Sequence, residues 1–332
     1  MKNPRRIRSK RVKTLSAHMP KVSVVIPTHN RTELLLRAIK SVLAQTVQHF
    51  EIIVVDDASS VDVVGIVDVF GDNRIKIIRH EECKGGSASR NTGIAYSQGE
   101  FVAFLDDDDE WCHDKLEAQL AFMHRHQVLA MVYTGYFLVN QNTGWIKEVY
   151  RPHKELHLSK LLLRDNVIGT TSTIMVRKAC LTGDIKFDEN LKSCQDWDFY
   201  LKIAGVYQIG CISRPLVRHH DHDERISGRF ADVIQGHQAI LERINQNQKY
   251  TISKKVTAHH HYKLAKLFLE FGDHEKGRWE LLRSLAIYRC RPGIYVYLAA
   301  SYLRSSDYRQ MSACWQFLKS VRSRFFARIK TS

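Results

Sequence analysis

Apolar and polar positions along this chain fall into blocks that switch period. KVSVVIP (21–27) is a nearly unbroken apolar run and predicts a buried strand. THNRTELLLRAIKSVLAQT follows at helical spacing, with Leu35, Ile39, Val42 and Leu43 on one face. Asn30 fits the helix N-cap, with Glu33 three residues later completing a capping box. EIIVVDD (51–57) predicts a second strand, Asp62 to Phe70 a short helix, and RIKIIRH (74–80) a third strand. The turn KGGSASRNTG opens a helix, and FVAFLD is the fourth strand. Strands this apolar, alternating with helices, predict an α/β fold whose parallel sheet is covered on both faces.

Beyond the fourth strand the pattern predicts a helix from Asp114 to His126, then AMVYTGYFLV and WIKEVY as a hairpin around QNTG. TSTIMVR (171–177) reads as another strand. SCQDWDFYLKIA (193–204) reads as a helix with acids in its first turn, and VYQIG and RPLVRHH as closing strands. From about Ala231 the spacing is helical, with breaks at Gly272 and Pro292. The paired-helix rhythm there is faintly similar to one tetratricopeptide unit, which is not an array. WQFLKSVRSRFFARIK, near the end, suits a membrane-surface helix or one packed on its own domain. Three regions are expected: a basic, disordered arm over 1–20, an α/β domain over 21–228 and a helical region over 229–332.

Composition narrows the class. The 332 residues are 44% hydrophobic and 26% charged, which suits a globular chain with one large and one smaller domain. No run approaches the roughly 18 apolar residues of a membrane span. The basic opening, MKNPRRIRSKRVK, lacks the apolar stretch of a signal peptide. Seven scattered cysteines form no metal-ligand spacing and fit a reducing cytoplasm. A net charge of +15 calls for an anionic partner: nucleic acid, lipid headgroups or a phosphorylated substrate. The acidic run in FVAFLDDDDE argues against nucleic acid, since it would face a phosphate backbone.

That run also points to chemistry. In parallel sheets ligands bind beyond the carboxyl ends of the strands. Thr28 and His29 follow the first strand, Asp56 and Asp57 end the second, and Asp106 to Asp109 end the fourth. Four neighbouring carboxylates stay ionised cheaply only beside a cation. Hard ions such as Mg²⁺ take one or two carboxylates together with substrate phosphates, and Asp106 and Asp108 form a D-x-D pair of that kind. PTHNR stands where a dinucleotide fold would carry GxGxxG, which excludes that class.

KVSVVIPTHNR, QTVQHFEIIVVDDAS, GGSASRNTGIAYSQGEFVAFLDDDDEW and QDWDFYLKIA, in this order, resemble glycosyltransferase family 2 over roughly residues 21–225. The resemblance implies a GT-A fold, a Rossmann-like, mostly parallel sheet with helices on both faces, here followed by a helical C-terminal region. It also implies a metal-dependent, inverting transfer from a nucleotide-sugar, usually a UDP-sugar, to a hydroxyl acceptor. Carried over by position, Pro27, Thr28 and Asn30 would line the nucleotide pocket and Asp57 would accept a hydrogen bond from the base. Arg90 would lie near the nucleotide or its phosphates, and Asp106 and Asp107 near the ribose. Asp108 would bind Mg²⁺ or Mn²⁺, and Asp196, in QDWD where many relatives have Glu-Asp, would be the general base.

In RHHDHDERISGR (218–229), His220 or His222 is a candidate further metal ligand, against an exposed polar loop. Lys84 and Arg229 could meet phosphates. His29 replaces the Tyr common among relatives. Trp111 and Trp197 are expected to pack beneath the site rather than stack on sugar. The expected setting is cytoplasmic, with the basic arm and helical tail at an anionic membrane surface. The acceptor would then be a glycan or lipid-linked glycan of the cell envelope. Two other classes compete: a non-catalytic nucleotide-sugar-binding relative and a basic nucleic-acid-binding α/β protein. The second lacks interleaved aromatic and basic motifs.

Overall fold

The computed structural model describes residues 19–152, 158–221, 230–246, 252–289 and 292–302. Residues 1–18 of the basic arm, His222, Arg229 and the WQFLKSVRSRFFARIK run lie outside them. Two compact units divide the chain: Met1–Leu191 with Gln195–Arg225, and Lys192–Cys194 with Ile226–Ser332.

In the first unit the apolar runs become β1 (Val22–Thr28), β2 (Phe50–Asp56), β3 (Ile75–Arg79) and β4 (Phe101–Phe104). They lie in the order β3-β2-β1-β4 and all pair in parallel, with Val22 beside both Phe50 and Phe101. Between them run α1 (Thr32–Leu43), α2 (Val63–Val67) and α3 (Gly86–Tyr96). Leu35, Ile39 and Val42 of α1 are buried against Val24, Ile26 and Ile52. Each such aliphatic side chain contributes about 1.5–3 kcal/mol by leaving water. On the opposite face α3 approaches β1 at Gly93, where a Cβ would lie 2.2 Å from Cγ1 of Val25.

The capping reading of Asn30 is corrected. Arg31 precedes α1 without a side-chain cap bond, and Asn30 takes a left-handed backbone, φ 55°. Asparagine tolerates that conformation, and its side chain serves the next loop instead. Asp62 does cap α2, accepting from the Gly65 amide.

The rest of the sheet is mixed rather than parallel. β5 (Glu110–Trp111), α4 (Lys115–Arg125), β6 (Leu129–Asn140) and β7 (Ile146–Tyr150) lead to α5 (Leu158–Leu162) and β8 (Ile174–Arg177). α6 (Gln195–Val206) and β9 (Gln208–Asp221) close the unit. The order continues β4-β8-β6-β9-β5, with β8 antiparallel to β4 and β6, and β7 forming the expected hairpin with β6. The two closing strands read from the sequence are one continuous strand, bent where its register with β6 shifts around Gly135.

The second unit is helical: α7 (Phe230–Gln246), α8 (Lys254–Glu270), α9 (His274–Ile287) and α10 (Pro292–Ala300). Gly272, φ 89°, ends α8, and Asp273 caps α9 through the Lys276 amide. Pro292 opens α10, where its missing N–H has no intrahelical partner to lose. Ala265, Leu269, Leu281, Ile294 and Tyr297 form the core of α8, α9 and α10, and Ile234 and Leu241 of α7 pack with Leu264 and Phe268 of α8.

Candidate functional site

The carboxyl ends of β1, β2 and β4 meet, and the side chains just past them make one polar cluster. At β1, the Val25 carbonyl accepts from Leu105 N–H and the Thr28 carbonyl from Asp57 N–H. Alternate residues turn to opposite neighbours, so the N–H that Pro27 lacks would face the side where β4 has already ended. Thr28 Oγ1 donates to Asp107 Oδ2 at 2.8 Å. His29 Nδ1 lies 2.7 Å from the Asp57 carbonyl, so it carries the proton, and Nε2 accepts from Asn30 Nδ2 at 3.0 Å. Asn30 Oδ1 accepts from the amide and hydroxyl of Ser60. Asn30 therefore ties the end of β1 to the loop after β2.

Asp57 is buried under four donors: the amides of Lys84 (2.9 Å) and Gly85 (2.7 Å), His80 Nδ1 (2.8 Å) and Cys83 Sγ (3.2 Å). Burial alone would raise its carboxyl, but the donors outweigh it and hold the group below its ordinary range.

The four acids after β4 face different partners. Asp106 accepts from Arg90 at 2.5 Å and from Thr171 Oγ1 at 3.0 Å. Asp107, besides Thr28, faces Arg31 at 3.4 Å. Burial, with the Asp108 charge beside it, pushes the Asp107 carboxyl up to about 7. Asp108 faces Arg31 at 3.1 Å, and its carbonyl accepts from Arg37 at 2.6 Å. Asp109 is fully buried between Ser172 Oγ (2.6 Å), His219 Nδ1 (2.9 Å) and the His220 amide (3.2 Å). His220, one of the two candidate metal ligands, has its Nε2 2.7 Å from Glu110 Oε1.

The donor set suits a hard divalent ion only in part. Among the described residues no group of three His, Cys, Asp or Glu is arranged to hold a metal. Asp107 and Asp108, however, lie side by side and share the one Arg31 guanidinium. One or two carboxylates completed by substrate phosphates is how Mg²⁺ is usually bound. By residue type, Asp107 and Asp108 could supply the protein's share of such a set, with the rest left to the substrate.

Asp196 stands in the first turn of α6, partly exposed. Oδ1 accepts from the Trp197 amide and Oδ2 from Asn166 Nδ2, both at 2.8 Å. Burial raises its carboxyl, Arg90 opposes that and Asp106 adds to it. Arg90 is thus the cation shared by the acid after β4 and the acid on α6. Its Nε is buried without a hydrogen-bond partner among the described residues. Trp111 and Trp197 are packed beneath the site, their indole N–H groups donating to the carbonyls of Ser172 and Leu162.

Sequence reasoning missed Arg31, Asn166, Thr170, Thr171, Ser172 and His219. Thr171–Thr173 are read from the sequence as the head of a strand. They form a single 3₁₀ turn instead, whose hydroxyls bond the acids. Four consecutive hydroxyl residues facing an acidic run was the available signal.

A mixed α/β sheet of this strand order, with acids and a buried arginine gathered past its strand ends, has the GT-A fold. The profile of "Glycosyl transferase family 2" matches residues 23–182, and the chain belongs to that family. An uncharacterized glycosyltransferase of Methanocaldococcus jannaschii is 30% identical over 207 residues, 60% of this chain and 70% of that one. The Escherichia coli UDP-Glc:alpha-D-GlcNAc-diphosphoundecaprenol beta-1,3-glucosyltransferase WfgD is 38% identical over 156 residues, 47% of this chain and 60% of that one. The chain spans about a third of the length of the Rickettsia glycosyltransferases it matches. The crystal structure of S. aureus TarS 1-349 in complex with UDP-GlcNAc shares the fold, with TM-score 0.64 and 21% identity over 89% of this chain and 91% of that one.

Proposed function

We propose that this chain transfers a sugar, with inversion, from a nucleotide-diphosphate sugar to an acceptor hydroxyl in cell-envelope polysaccharide assembly. A UDP-sugar is the leading donor, supported by the WfgD name and by the UDP-GlcNAc complex of TarS. The observation that carries the reading is Arg90, bonded to Asp106 and in electrostatic reach of Asp196. One guanidinium therefore links the donor-side acids to Asp196, the carboxylate assigned as base in this reading.

Pro27, Thr28, Asn30 and Asp57 line the nucleotide end; a base N–H would reach the ionised Asp57 by displacing one of its four donors, of which Cys83 Sγ at 3.2 Å is the weakest. Asp106 and Asp107 border the ribose. The orphaned Nε of Arg90 is a donor that a phosphate oxygen would satisfy. Asp108 would hold Mg²⁺ or Mn²⁺, which supplies positive charge against the leaving diphosphate. Asp196 takes the proton of the acceptor hydroxyl as its oxygen bonds the anomeric carbon and the bond to the diphosphate breaks on the opposite face. One carboxylate suffices, because inversion forms no covalent enzyme intermediate.

A lipid-linked acceptor fits the distribution of charge. Residues 226–332 hold 19 Lys and Arg against 7 Asp and Glu, and residues 1–20 add 7 basic residues and no acid, whereas 21–225 are net acidic. Among the described residues no helix is long and apolar enough to cross a membrane. The basic parts therefore suit an anionic bilayer surface.

The test is UDP release from UDP-glucose, UDP-galactose and UDP-GlcNAc with Mn²⁺, in wild type and in Asp196→Asn. Release that is lost in Asp196→Asn while UDP still raises the melting temperature supports the reading. No release from any of the three, or full release by Asp196→Asn, overturns it.

A further inference from the structure

The loop between α5 and β8 carries a side chain whose geometry no part of the proposed reaction has used. Asn166 Oδ1 accepts from the amides of Ile168 (3.3 Å) and Gly169 (3.1 Å). Its Nδ2 donates to the Gly169 carbonyl at 3.1 Å and to Asp196 Oδ2 at 2.8 Å. These partners fix the orientation of the amide, because a flipped group would set its oxygen against the carboxylate. The loop itself has little freedom. Gly169 sits at φ 90°, and a Cβ there would lie 2.7 Å from the Tyr136 ring. With the Trp197 amide on Oδ1, each oxygen of Asp196 has one protein donor and keeps lone-pair capacity for a proton.

We infer that Asn166 is the positioning residue of Asp196, locking the carboxylate in the rotamer from which it meets the acceptor hydroxyl. The inference rests on Asp196 being the base. The same loop continues into Thr171 on Asp106 and Ser172 on Asp109, so one segment holds donors for the base and for the acid run. The charged and titratable groups facing Asp196 are Arg90 from α3, Asp106 after β4 and Tyr200 on its own helix, and all three remain when Asn166 is changed.

The experiment compares full-length wild type, Asn166→Ala and Asn166→Asp by UDP release from the UDP-sugar that wild type turns over fastest. Removing a donor from an ionised carboxylate makes ionisation harder, so the acid limb of the kcat–pH profile should move to higher pH by about one unit. In Asn166→Ala kcat should also fall about ten- to a hundredfold, with donor KM unchanged. Asn166→Asp, nearly isosteric, should move the limb further in the same direction and serves if the alanine variant does not fold. An acid limb that coincides with wild type in the folded variant overturns the inference. Full turnover by Asp196→Asn would instead remove the base reading, so the two failures are separable.

Discussion

His219 Nδ1 lies 2.9 Å from Oδ1 of Asp109, and that carboxylate is fully buried. Burial pushes the Asp109 carboxyl up and His219 pulls it down. Removing one partner leaves a buried charge with less compensation, which is costlier than losing a surface pair. His219→Ala should lower the stability of the first unit by about 3 kcal/mol. Ser172→Ala, which removes the hydroxyl that donates to Asp109 and accepts from the Asp106 amide but leaves the His219 partner in place, should lower it by about 1–2 kcal/mol. Urea unfolding of the two variants would check the ranking.

Gly93→Ala tests the packing of α3 on β1. A methyl group there would overlap both Cγ atoms of Val25, at 2.2 and 2.8 Å, and Val25 is itself fully buried. The helix would have to rise from the sheet, at a cost of about 1–3 kcal/mol. Because α3 carries Arg90, donor turnover should fall along with the melting temperature. Pairing the substitution with Val25→Ala should restore part of both.

Arg90 gives two separable expectations. Arg90→Lys keeps the charge but loses the guanidinium geometry that puts Nη2 on Asp106 and leaves Nε for a phosphate, so kcat/KM for the donor should fall about a hundredfold with the acid limb of the profile in place. Arg90→Met also removes the cation that favours ionised Asp196, and its acid limb should move to higher pH. The pH dependence of UDP release distinguishes the two.

Lys115 is fully buried, with Nζ 2.8 Å from Gln119 Oε1 and 3.8 Å from the centre of the Trp111 ring. Burial holds the amine well below its ordinary range. The unfolded chain then binds more protons at this position than the folded one between the depressed value and about 10.4. Stability from this group should therefore rise with pH across that window. Lys115→Met should flatten the rise, as read by thermal unfolding at pH 7 and pH 9.

Much of the framework was legible from the sequence because burial on both faces leaves a plain mark. β1, β2 and β4 are apolar nearly throughout, and the acids that follow them fall where a parallel sheet gathers its ligands. The second half of the sheet was harder to read. β8 and β9 pair across long sequence separations, and nothing local states that β8 runs against β4. Asn30 was misjudged because its side chain answers Ser60, thirty residues on, rather than its own helix. Asn166 and His219 stayed hidden for the same reason: their partners, Asp196 and Asp109, are 30 and 110 residues away.

The acid run after β4 behaves as a keyed junction. Asp106 answers to Arg90 and Thr171, Asp107 to Thr28, Asp108 to Arg31, and Asp109 to His219 and Ser172. Neighbouring acids thus meet different sets of partners, although the 170–173 turn serves both Asp106 and Asp109 and Arg31 serves both Asp107 and Asp108. An extra residue anywhere between Asp106 and Asp109 would hand every later side chain its neighbour's lock. The stretch should tolerate exchange of single acids better than any change in its length.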